Sequence, residues 1–110
     1  PGAPIASPTT VLTPTGDKQV VVGGSTRAGT VSVEARTADG EVVAEERIEV
    51  VAGRGYVISV PRRAVLLTVT PRRTDVMGAV LVTGDDGAAV IRLREQVTSG
   101  LIASVRPGIP

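Results

Sequence analysis

Aliphatic side chains alternate with polar ones over short runs, and this period of two leaves few architectures open to the chain. From Thr30 to Thr37, Val31, Val33 and Ala35 fall in one phase and Ser32, Glu34 and Arg36 in the other. Successive side chains of an extended strand point to opposite faces, so such a run has one face for a core and one for water. The chain holds 20 valines, and β-branched side chains suit a pleated sheet. Short alternating runs separated by Gly and Asp-Gly turns predict an all-β protein, an antiparallel immunoglobulin-like β-sandwich of about seven to nine strands. A pair of propeller blades would need a regular repeat, and the chain has none.

The strands read in turn. Residues 1–16, "PGAPIASPTTVLTPTG", carry four prolines and five Ser/Thr, the composition of an extended, solvated linker or arm, to which Val11 and Leu12 add a short edge strand. The sandwich is expected over residues 17–106, with 107–110 as an extended tail. An opening "PGAPIASPTT" without an initiator Met is expected of a processed product or an excised piece. Lys18–Val22 leads into a flexible "GGSTRAG" loop. "TADGE" turns Thr30–Thr37 back into Glu41–Val51, because Asp-Gly supplies the positive φ of a tight hairpin. There Val42, Ala44, Ile48 and Val50 are expected to face inward, and Glu41, Glu45, Arg47 and Glu49 outward. Tyr56, Ile58 and Val60 face in from the next strand, and Val65, Leu67 and Val69 from the one after. "DVMGAVLVT", residues 75–83, is apolar on both faces, which predicts a central covered strand, and Gly78 within it marks a bulge or a close backbone approach. "GDDG" then closes a hairpin onto Ala88–Arg94, with Ala89, Ile91 and Leu93 inward, and Leu101–Val105 pairs last.

Absences bound the chemistry. The chain has no His and no Cys, which removes imidazole and thiolate metal sites along with Ser-His and Cys-His nucleophiles. With no Trp or Phe and a single tyrosine, Tyr56, it offers no aromatic platform for sugars or bases. Twelve basic residues nearly cancel eleven acidic ones, leaving +1, so net charge predicts no attraction to nucleic acid. No apolar run approaches the roughly 18 residues of a membrane helix. No cofactor is implied.

"PRRAVLLTVTPRR", residues 61–73, brackets an aliphatic run with two basic triplets. An extended chain separates them by about 30 Å, so one small anion cannot bridge them. If each connection reverses the chain, however, the loops at 23–29, 52–55, 71–75 and 95–100 share one end of the sandwich. That end collects Arg27, Arg54, Arg72 and Arg73 against Asp75 and Glu95, a candidate site for a carboxylate, a phosphate or an anionic polymer. The competing reading leaves these arginines solvated or paired with the acidic hairpin. Residues 34–49 hold six acids and two arginines, whereas 50–74 hold five arginines and no acid. Asp85-Asp86 is a weaker candidate for calcium, since Asx and Gly also build such turns unaided. Glu45 and Glu49 share a solvent face without the apolar wall a catalytic acid needs, and Ser25 has no base. Catalysis is not expected.

The order of "VVVGGSTRAGTVSVEARTADGEVV", "RIEVVAGRGYVISVP", "VLLTVTPRRTDVMGAVLV" and "VRPGIP" resembles the C-terminal part of domain of unknown function 5719, a family of exported actinobacterial proteins. The resemblance runs from about residue 11 onward and implies an extracytoplasmic location, cell-envelope or secreted, with a missing N-terminal signal or anchor. It carries no catalytic residues across. The expected function is therefore a non-catalytic structural or interaction module of a cell-envelope protein, with anion or anionic-polymer binding through the arginine end as the alternative. Open edges, expected at Val11–Leu12 and Leu101–Val105, offer a route to a protein partner or a homodimer.

Overall fold

The computed structural model describes residues 4–84 and 87–94, and in them the alternating runs fold into eight strands. These are β1 (Thr9–Leu12), β2 (Asp17–Gly23), β3 (Gly29–Arg36), β4 (Val42–Val50), β5 (Tyr56–Val60), β6 (Leu66–Arg72), β7 (Met77–Gly84) and β8 (Gly87–Arg92). They form two four-stranded antiparallel sheets, ordered β1-β6-β3-β4 and β5-β2-β7-β8. Among the described residues no helix is long and apolar enough to cross a membrane. The expected strand at Leu101–Val105 and the tip of the "GDDG" hairpin lie outside the described residues.

The inner faces follow the period-two pattern. Val31, Val33 and Ala35 from β3 meet Leu67 and Val69 from β6, and Val20 and Val22 from β2, Ile58 and Val60 from β5 and Val80 and Val82 from β7 close over them. Each is buried, so the hydrophobic cluster they form is aliphatic, and burying each Val, Leu or Ile contributes about 1.5–3 kcal/mol. An immunoglobulin sandwich, numbered in chain order, runs 1-2-5-4 and 3-6-7. The present sheets keep its central pairings, β2 with β5 and β3 with β6, but exchange the outer ones. β1 joins β6 where the seventh strand would lie, and β7 joins β2 where the first would lie.

Three sequence expectations change. Residues 4–13 are extended and keep most side chains in solvent, but they are docked and not a free arm: Ile5 is fully buried and exchanges two backbone hydrogen bonds with Val76, at 2.7 and 3.0 Å. Val42 does not face the core. A register shift beside Ala35 and Arg36 sets Ala44 opposite Ala35 and Val42 opposite Arg36, so Val43 is the extra residue of a bulge and Val42 turns outward. β7 is central, between β2 and β8, but its outer face is not covered, and Met77 stands exposed there. Gly78 does mark a close approach: a Cβ there would lie 2.6 Å from Leu93 Cδ1, and the Leu93 N–H donates to the Gly78 carbonyl at 2.9 Å.

Candidate functional site

The arginine-bearing loops are held together by short polar contacts at one end of the sandwich. Ser25 is buried, and its Oγ donates to the Val51 carbonyl at 3.1 Å while its own carbonyl accepts from Gly53 N at 3.2 Å. These bonds fasten residues 23–29 to the β4–β5 connection. Ser25 is thus a loop tie. Thr74 Oγ1 donates to the Arg27 carbonyl at 2.6 Å, and Thr26 Oγ1 donates to Asp75 Oδ1 at 2.9 Å, which fastens the same loop to the β6–β7 connection. The hydrogen bond from Thr26 holds the Asp75 carboxyl below the usual carboxylate range, with a smaller pull from Arg27.

Arg27, Arg54, Arg72 and Arg73 all lie at this end and are all exposed. They do not point to one spot. Arg72 is turned onto the outer face of the first sheet, opposite Thr30, where it lines a shallow groove of about 220 Å³ with Ser32, Glu34, Glu45, Thr68 and Thr70. Arg54 lies in the β4–β5 loop, and Arg73 holds a positive φ of 64°, rare for a side chain of its size. Among the described residues the ion pairs are Arg36–Glu34 at 2.8 Å and Arg62–Asp17, so none of the four has a carboxylate partner. Residues 95–100, expected at the same end, lie outside the described residues, as do Asp85 and Asp86. Among the described residues no three acids cluster in a way that would hold a metal ion. Glu45 and Glu49 stand on the outer face of β4, opposite Glu34 and Thr30.

The two outer faces differ more than the sequence reading anticipated. The first sheet shows water a mainly hydroxylated and charged surface: Thr10 and Thr68 share a hydrogen bond at 2.8 Å, beside Glu34, Glu45, Ser32 and Arg47, and only the row of Leu12, Leu66, Arg36 and Val42 is largely apolar. The second shows a more apolar one. Across its four strands Val57, Val21 and Ala79 form one row with Arg92, and Ser59, Gln19, Leu81 and Val90 form the next. Met77 stands opposite Gly23 on the same face. Val57 is 61% exposed, Val90 60% and Met77 42%, while Val21, Ala79 and Leu81 are half-buried. The signal was present in "DVMGAVLVT" and in the outward phase of Val21 and Val57, but an apolar outer phase reads equally as a covered strand.

Fold and surface together define a two-sheet β protein with one mainly polar face, one more apolar face and a cationic loop end. Compared with protein-family models, curated proteins and solved structures, the chain matches none of them.

Proposed function

We propose that the chain is a non-catalytic interaction module, a β-sandwich that presents its second sheet to another protein surface. The observation that carries this reading is the apolar outer face around Val57, Val21, Met77, Leu81 and Val90. Contiguous exposed apolar area on one side of a small domain is the mark of a contact surface. The similarity of its strand and turn order to exported actinobacterial proteins supports a setting in the cell envelope. A photo-crosslinking residue at Met77, compared with one at Glu45 on the polar face, tests the reading in cells that make the protein. Discrete protein adducts from Met77 alone are expected. Adducts from neither position, or equally from both, would remove it.

A second reading rests on a separate observation, four exposed arginines at the stitched loop end that have no carboxylate partner among the described residues. Guanidinium groups spread over one end of a domain suit phosphate and carboxylate groups spaced along a polymer better than one small anion. Replacing Arg54, Arg72 and Arg73 by Glu is expected to abolish retention on an anionic-polymer column, and unchanged retention would discard the idea.

A further inference from the structure

The two sheets end in four edge strands, β1, β4, β5 and β8. An edge exposes unpaired N–H and C=O groups, and proteins blunt such edges with shortness, proline, charge or bulges. Three of the four are blunted. β1 is four residues long and lies between Pro8 and Pro14, and β5 is five residues long and runs into Pro61. β4 carries Glu45, Glu46, Arg47 and Glu49 and starts at a bulge. β8, "GAAVIR", has no proline, no bulge and no charge before Arg92. Among the described residues no strand lies beyond it.

The direction of its free groups follows from the ladder. Leu93 N–H donates to the Gly78 carbonyl, and bonding alternates along an antiparallel strand. Gly87, Ala89 and Ile91 therefore turn their backbone groups toward β7, and Ala88, Val90 and Arg92 turn theirs away from the sheet. Val90 also presents an exposed side chain on the apolar outer face, beside Leu81.

We infer that a second copy of this chain adds to β8 in antiparallel fashion, with Val90 of each copy facing the other across a two-fold axis. The inference deepens the interaction-module reading and rests on it. In this register the outward-facing groups match: Val90 opposes Val90, and Ala88 of one copy opposes Arg92 of the other, each pair exchanging both backbone bonds. Side-chain sizes match too, because Ala88 meets Arg92 and Ala89 meets Ile91, small against large on either side of the central Val90 pair. Antiparallel pairing puts the two Arg92 residues at opposite ends of the seam, whereas parallel pairing would set like charges side by side. A two-fold axis makes the contact self-complementary and closed. The apolar row that ends in Leu81 and Val90 then continues across the seam into the second copy.

The chain contains no cysteine, so a single introduced thiol reports the contact cleanly. Directly opposed residues of a hydrogen-bonded antiparallel pair have Cα atoms about 5.5 Å apart, within disulfide reach. Val90→Cys in the full chain should oxidise to a covalent dimer of twice 11.2 kDa. It should do so at least about tenfold faster than Val57→Cys, because the seam raises the effective thiol concentration. Val57 is as exposed as Val90 and lies at the opposite edge, so it controls for chance collision. Light scattering of the unmodified chain should show dimer growing with concentration, and Val90→Lys should return it to monomer with the melting temperature of the dilute, monomeric parent. Equal oxidation of the two cysteine variants overturns the inference. So does a chain that stays monomeric, whether residues 95–110 or nothing at all occupies the edge. Met77 adducts surviving in either case would leave the module reading standing and remove only self-pairing.

Discussion

Lys18 is the only lysine among twelve basic residues, and it lies where an arginine would not fit. It shares the inward phase of β2 with Val20 and Val22 and is buried. Its Nζ donates to the carbonyls of Gly16, Arg62 and Ala64 at 2.9, 2.9 and 2.8 Å. Three acceptors around one point suit a compact ammonium with three donors, whereas a planar guanidinium would splay past them. Lys18→Met leaves those carbonyls unpaired and should lower stability by about 3 kcal/mol in urea unfolding, with Lys18→Arg failing to restore it. A Met variant as stable as the parent would mean that water satisfies the three carbonyls. Burial, helped by the positive charge of Arg62 and opposed by Asp17, holds the Lys18 pKa below its ordinary 10.5. The native state therefore binds this proton more weakly than the unfolded chain does. Stability should gain a contribution from Lys18 as pH rises through the interval just below 10.5, and Lys18→Met should lose that rise. The sequence starts a strand at Lys18 but assigns the residue no face. What could not be read was that two of the three carbonyls awaiting it, those of Arg62 and Ala64, come from residues more than forty positions away.

Gly29 shows how one strand end fixes the loop end at the level of elements. It begins β3, and a Cβ there would strike the Arg72 carbonyl and lie 2.8 Å from Thr74 Cβ. The obstruction includes backbone, so it cannot rotate aside. Gly29→Ala should destabilise by about 1–3 kcal/mol and part the β3 start from the β6–β7 connection. Amide exchange should then quicken at Thr30 and Thr74, and unchanged exchange would place the close approach elsewhere. The strands most legible in the sequence were β3 and β6, whose two faces differ in polarity. β4 and β7 were less so. In β4 the bulge that reverses the phase of Val42 is a property of pairing with β3, not of the β4 sequence. In β7 both phases are apolar, and composition cannot distinguish a face covered by its own chain from one left open, as at Met77 and Leu81. Along β8, Leu93 is buried and Ile91 half-buried while Ala89 is exposed, so burial fades toward the hairpin tip although the phase is kept. The candidate site was legible in the same partial way. Chain reversal at each turn was enough to gather Arg27, Arg54, Arg72 and Arg73 at one end, but not to foresee that Arg72 turns onto the sheet face.

For the whole molecule the decisive departure lies at the N-terminus. Four prolines in sixteen residues argue for an arm that keeps to solvent, and most of its side chains do. Proline permits extended backbone, however, and extended backbone is what an edge needs. Thr9 to Leu12 pair with Val69 to Leu66. Beyond Val69 β1 gives out, so at Pro71 strand β6 is itself an edge and its missing donor is tolerated. The arm thereby occupies the place that the seventh strand takes in the immunoglobulin order, and β7 is left to join β2. That exchange puts β8 outermost in the second sheet and its apolar outer face on view. Ile5 anchors the arrangement, fully buried between the sheets and bridged to Val76 just before β7. Ile5→Ala removes a buried side chain whose cavity the neighbouring Val76 and the rest of the aliphatic core can only partly fill, so it should lower stability by about 2–4 kcal/mol. A solvated arm would tolerate the same change without measurable loss. Equilibrium unfolding of the two chains separates the cases, and amide protection at Val76, whose N–H donates to the Ile5 carbonyl, should fall in the variant if the arm is what closes this side of the core.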